Sequence, residues 1–151
     1  MTVDTVKRDD WLLAGAAFLL VIDLLALPWF EIGIGPISIT STGTGAPDGW
    51  LGLLAVLATV ALIADLGIER LAPQAQVPAI AGSRSMTRLT LAGSAALFVA
   101  LKFLFHIHFG LFGFGFWAAI VLSGGLIALA RRAHGDGSVS LSQRPASPPS
   151  A

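Results

Sequence analysis

Four runs of apolar residues divide the chain, at residues 11–30, 50–68, 89–109 and 111–130. Each is about 20 residues long, the length at which an α-helix crosses ~30 Å of hydrocarbon. The pattern therefore predicts an all-α fold, a bundle of four transmembrane helices. Between the first two runs the period changes, because Ile32 and Ile34, then Ile37 and Ile39, alternate around Gly35-Pro36. A period of two broken by a turn dipeptide fits a short β-hairpin over residues 31–41, and equally an irregular loop whose isoleucines rest on the membrane surface. Residues 41–49, rich in Thr and Gly, read as a turn into the second run, with Asp48 a candidate N-cap. Thr87 or Ser85 is the matching candidate for the third run.

The remaining segments read as connections. Pro28 restricts continuation of the first helix, and Trp29 and Phe30 suit the headgroup level. Residues 72–85 carry Pro73, Pro78 and Gly82 and read as a linker, whereas residues 106–117 form a glycine-punctuated aromatic turn that joins runs three and four almost without a loop. Residues 133–151, rich in Ser, Pro and Gly, read as a disordered tail, which leaves residues 1–132 as a single membrane domain. Small residues mark expected helix contacts in lipid: Ala92, Ala96 and Ala100 in run three, Gly124 and Ala128 in run four, and residues 14–17 in run one.

Composition agrees with the pattern. Of 151 residues 55% are hydrophobic and only 12% charged, and the mean hydropathy is +0.81, outside the range of ordinary soluble domains. The net charge of zero hides an asymmetry between loops. Lys7, Arg8, Arg70, Arg84, Arg88, Arg131, Arg132 and Arg144 all fall on one side once the runs are threaded through a membrane, and only Lys102 does not. Cations in short loops stay cytoplasmic, so the sequence predicts a multi-pass protein of the cell inner (plasma) membrane with both termini in the cytoplasm. Trp29, Trp50 and Trp117 at the outer level and Trp11 at the inner one point the same way. The chain has no Cys, which removes disulfide, thiolate-metal and thiol redox chemistry.

Asp23 and Lys102 are the ionisable residues within the apolar runs that stand far from either charged edge. Asp23 lies 12 residues beyond Trp11, and Lys102 lies 13 beyond Leu89, so both sit about 18 to 20 Å from the inner edge. Runs one and three are parallel, and the matched depths predict an Asp23–Lys102 pair joined by His106 one turn further out. Such a pair is open to three readings: a salt bridge that fixes helix register, a proton- or ion-coupled site, or a Lys102 that snorkels to the outer interface without a partner. A lysine at the bilayer centre costs roughly 2.5 to 3.5 kcal/mol. The 11 Leu, Ile, Phe and Val residues of run three return about 3 to 7 kcal/mol. Run three is therefore expected to insert as a hairpin with run four. Asp65, near the inner headgroups, is within reach of Arg88 or solvent. His106 and His108 face different directions and His134 is in the tail, so neither a metal nor a haem site is expected. No phosphate loop, nucleophile with a base, or basic nucleic-acid surface is present.

At Leu27-Pro28-Trp29-Phe30, Gly49-Trp50 and Gly115-Phe116-Trp117, together with the Lys102-bearing third run, the chain resembles small uncharacterised four-span membrane proteins of bacteria. The resemblance implies a four-helix membrane fold and no carried-over site. In size, span number and the position of Asp23 the chain also resembles small multidrug transporters. The expected function is that of a non-enzymatic structural or accessory protein, without cofactor, whose partners are the bilayer and another membrane protein or a second copy of itself. The alternative is a small ion- or proton-coupled transporter using Asp23.

Overall fold

The structure, a computed structural model, describes residues 3–34, 36–46, 48–72, 74, 82–106 and 112–142, with side chains placed for those outside 3–7, 34 and 135–142. It is mostly helical. Helices α1 (Val3–Ala26), α2 (Gly49–Leu71), α3 (Arg84–Phe105) and α4 (Phe114–Ser142) run up and down, and strands β1 (Pro28–Ile34) and β2 (Ile37–Thr42) lie between α1 and α2. Each helix packs on its neighbours in sequence, and α1 also packs on α4, which closes the ring. That places α1 and α3 across the diagonal.

The hairpin form of the period-two segment is the one observed. The strands pair antiparallel with Ile32 opposite Ile39 and Ile34 opposite Ile37, so the isoleucine positions share one face of the ribbon. The hairpin begins earlier than the alternation suggests. The residue before a proline is pushed out of the α region, and accordingly α1 stops at Ala26 and Pro28 already pairs with Thr42. The next pair is Phe30 with Ser41, so Trp29 is the extra residue of a bulge. A bulge re-aims one side chain, and here it turns Trp29 into the bundle, where it is 0% exposed. Trp29 therefore faces the interior of the bundle.

Helix boundaries correct several expectations. Among the described residues three helices are long and apolar enough to cross a membrane: Gly49–Leu71, Arg84–Phe105 and Phe114–His134. The first is not among them, because its apolar part covers residues 11–26 and includes Asp23, a rise of about 24 Å. Helix α3 is shifted toward the N-terminus of its apolar run, which leaves Lys102 in its last turn rather than mid-span. Ser83 caps α3, accepting from Met86 N at 3.2 Å, in place of Thr87 or Ser85. Asp48 occupies the N-cap position of α2 at φ 49° but makes no capping bond. Helix α4 continues to Ser142, past the start of the expected disorder at 133. The tail beyond Ser142, most of the 72–85 linker and His108 lie outside the described residues.

The core is a stack of small and branched residues: Ala17, Leu20 and Leu24 of α1, Ala55 and Leu62 of α2, Ala92, Ala95 and Val99 of α3, and Phe116, Ala119 and Leu126 of α4. The buried stripe of α3 thus runs through Ala95 and Val99, while Ala100 is exposed. Gly124 and Ala128 of α4 likewise face outward. Every helix also exposes large apolar side chains, among them Phe18, Leu53, Leu57, Leu97, Leu104, Trp117 and Val121.

At the end opposite the hairpin, α1, α2 and α3 are tied by ions. Arg88 Nε donates to Asp65 Oδ2 at 2.9 Å, Arg88 also pairs with Glu69 and with Asp10 at 3.5 Å, and Arg70 reaches Asp10 at 3.4 Å. Asp65 therefore takes the first of its two expected partners. Arg70 also lies over the Trp11 ring at 5.2 Å.

The turn that follows β2 packs so closely on α2 that a Cβ on Gly52 would overlap the Gly43 carbonyl, whereas a Cβ on Gly15 would meet nothing within 4 Å. Gly52→Ala is expected to cost about 1–3 kcal/mol through this overlap. Gly15→Ala should be neutral or stabilising, since it raises helix propensity in open space. Thermal unfolding of the two variants in detergent checks this, and equal melting points would contradict the packing described.

Candidate functional site: a buried polar cluster under the hairpin

Asp23, Lys102 and His106 do meet at one end of the bundle, but not in the arrangement predicted. Asp23 and Lys102 lie in the last turns of α1 and α3, so their depths match. No Asp23–Lys102 ion pair forms. Their helices are diagonal, and the Trp29 side chain is a neighbour of both charged groups. Asp23 Oδ2 accepts from Trp29 Nε1 at 3.1 Å, and Lys102 Nζ stands 5.6 Å from the Trp29 ring centroid.

Lys102 instead serves the turn. Its Nζ donates to the Gly43 carbonyl at 2.5 Å and to the Gly45 carbonyl at 3.1 Å, and it lies 5.7 Å from the Phe30 ring centroid. The side chain is 0% exposed. Hydrogen bonds to a charged group contribute about 1.5–3 kcal/mol each, and an ammonium near the C-terminal end of a helix is favoured by the helix dipole. Lys102 is thus not the partnerless lysine of the third reading, because its head is buried against backbone carbonyls.

The chain locks this turn from other directions. Thr44 N donates to Leu24 O at 3.1 Å, and Gly45 N donates to Thr42 O at 3.0 Å. Phe112, just before α4, forms a bridge with Phe30, and Gly113 N donates to Trp29 O at 2.9 Å. Trp29 is thus held at its indole by Asp23, at its carbonyl by Gly113, and at its ring by an edge contact with Phe116 at 5.8 Å. The fit is close enough that a Cβ on Gly43 would stand 2.9 Å from the Trp29 ring.

His106 joins through the backbone. Its Nδ1 is 3.2 Å from the Lys102 carbonyl, which can only accept, so Nδ1 donates. Its Nε2 faces Asp48 Oδ2 at 3.5 Å. The Asp48 carboxylate thus lies toward His106 and makes no capping bond to α2.

Sequence reasoning found Asp23, Lys102 and His106 but not Trp29, Gly43, Gly45 or Asp48. The usable signal was the Thr42-Gly43-Thr44-Gly45 repeat, whose missing Cβ atoms allow backbone to approach a ring and an ammonium. Chemically the cluster offers one unusual group: Asp23 Oδ1 is buried and has no hydrogen-bond partner, on a residue 1% exposed. Among the described residues no group of three or more His, Cys, Asp and Glu side chains is placed to hold a metal ion. No family model, curated protein or solved structure matches the chain.

The Asp23–Trp29 contact makes a graded prediction. Trp29→Phe removes the donor and leaves both carboxylate oxygens unbonded, at a cost of about 1–3 kcal/mol. Asp23→Leu should lose a similar amount by stranding the indole N–H. Asp23→Asn keeps an acceptor oxygen and should lose less than either. Melting temperatures in detergent give the order, and an Asn variant as unstable as the Leu variant would show that charge rather than acceptance matters.

Proposed function

We propose that the chain is a four-span protein of the cell inner membrane with a structural or accessory role and no catalysis, its termini cytoplasmic and its hairpin outside. The observation that carries the reading is the use made of the two buried charges. Lys102 holds the turn and Asp23 holds Trp29, so both are spent on fixing the chain's own cap. The apolar outward faces support a lipid surround, and the clustering of eight cations on one side supports the orientation. In this topology the first crossing combines residues 11–26 of α1 with extended residues 28–30. The accessory role rests on what remains free to meet another membrane protein or a second copy: the exposed isoleucines of the hairpin and the outward Gly124 and Ala128.

One observation favours a second reading, a proton- or ion-coupled transporter. A buried carboxylate oxygen without a partner, that of Asp23, is a group a proton or cation could occupy.

Two experiments test these readings. Because the chain has no Cys, Thr5→Cys and Ser38→Cys can be probed with a membrane-impermeant maleimide in intact cells. Ser38→Cys should label at once and Thr5→Cys only after permeabilisation, and labelling on the same side would remove the first crossing. Purified protein in proteoliposomes should leave an imposed pH gradient unchanged, with Asp23→Asn behaving alike. Dissipation by the native chain that Asp23→Asn abolishes while remaining folded would replace the structural reading with transport.

A further inference from the structure

The surroundings of Lys102 are those of a receptor for an ammonium ion. We infer that the hairpin end contains an ammonium-selective cage, built from the Gly43 and Gly45 carbonyls and the Trp29 and Phe30 rings, and that Lys102 is its tethered ligand.

The inference follows from counting donors. An ammonium carries three N–H groups and no acceptor. Two go to carbonyls, Gly43 O at 2.5 Å and Gly45 O at 3.1 Å. The remaining positive surface meets the Trp29 ring at 5.6 Å and the Phe30 ring at 5.7 Å, within the ~6 Å range over which an aromatic face attracts a cation. Every part of the head group is therefore matched, and no carboxylate is needed within ion-pair distance.

The same count excludes competitors. Two carbonyl oxygens fall well short of the oxygen shell that a hard metal cation requires. A guanidinium is planar and brings five donors in a fixed fork, more than the two carbonyls can accept. A quaternary ammonium has no N–H for the carbonyls. What the cage fits is a primary alkylammonium.

The walls and the ligand come from separate parts of the chain. Its walls come from β1 and from the turn after β2, and Lys102 enters from α3 on the other side of the ring of helices. Gly43 packs so closely on Leu24, Trp29 and Gly52 that a Cβ on Gly43 or on Gly52 would clash, while the Phe30 ring also meets His106 at the end of α3. Walls supplied mainly by one part of the chain and a ligand supplied by another are what make the ligand replaceable.

Truncation to Lys102→Ala deletes a fragment that corresponds to n-propylammonium. The full-length variant in detergent should melt lower than the native chain and be cleaved faster in the 42–49 turn. Added n-propylammonium should raise its melting point saturably while leaving the native chain unchanged. Potassium, tetramethylammonium and n-propanol should have no effect. Rescue by n-propanol as strong as by the amine would overturn the proposal, since it would show that only the apolar stem is missed. So would a Lys102→Met variant as stable and protease-resistant as the native chain. Should the Ala variant not fold, native protein labelled at lysine decides, because the chain has only Lys7 and Lys102. The Lys102 ε-methylene protons should be shifted upfield by the two rings and move back toward the free-lysine position in Phe30→Leu. A free-lysine shift in the native chain would overturn the cage.

Discussion

The constraint on which this structure turns is that the chain leaves α1 at Leu27 and does not become helical again until Gly49, yet folds this segment back against the bundle. In the proposed membrane setting, non-helical backbone beside hydrocarbon must find a partner for its N–H and C=O groups within the protein. The strand ladder answers for much of β1 and β2. Beyond it, Leu24 O accepts from Thr44, Trp29 O accepts from Gly113, and the Gly43 and Gly45 carbonyls accept from Lys102. Two helices and the chain before α4 thus contribute to one short segment: α1 a carbonyl, α3 an ammonium, and Gly113 an amide.

The two ends of the bundle solve the problem of charge differently. At the end bearing Asp10, Asp65, Glu69 and Arg88, cations meet carboxylates in a branched network that is partly exposed. At the hairpin end the buried ammonium and the buried carboxylate each take neutral partners. Pairing them directly would have required α1 and α3 to touch, and the ring closes through α1 with α4 instead. An isolated buried ion is costly, but carbonyl oxygens and aromatic faces offset that cost for Lys102 while also serving the turn. One residue then satisfies two requirements that a salt bridge would have met only in part.

These contrasts explain what could be read from sequence. The Asp65–Arg88 contact was legible because both residues lie near the same helix ends and opposite charge suffices to pair them. The hairpin was legible because alternation around Gly35-Pro36 is a local pattern. That Asp23 and Lys102 share one end of the bundle was legible from helical rise. Their partners were not, because charge complementarity points a lysine to a carboxylate, and nothing in a linear pattern marks a glycine carbonyl 59 positions away as an acceptor. The inward turn of Trp29 was not legible for a related reason. Its neighbours read as a headgroup-level stop, and only the bulge against Ser41 and Thr42 turns the ring inward. The small-residue stripe of α3 was offset because Ala92, Ala96 and Ala100 follow a spacing of four, whereas the buried face runs through Ala92, Ala95, Val99 and Lys102.

The placement of Trp29 also bears on how the first crossing is completed in the proposed topology. The apolar part of α1 rises about 24 Å, short of the ~30 Å of hydrocarbon. Extended residues 28–30 add about 10 Å, but extended backbone is tolerated there only when its polar groups are taken up by protein. Pairing of Pro28 with Thr42 and of Phe30 with Ser41, and the bond from Gly113 to Trp29, supply that. The first crossing is then not an independent helix. It reaches full length only once the hairpin has formed and the Phe112–Gly113 segment has docked on β1. Lys102 stabilises the turn that closes the hairpin, so a charge in the third helix supports the span of the first without touching it.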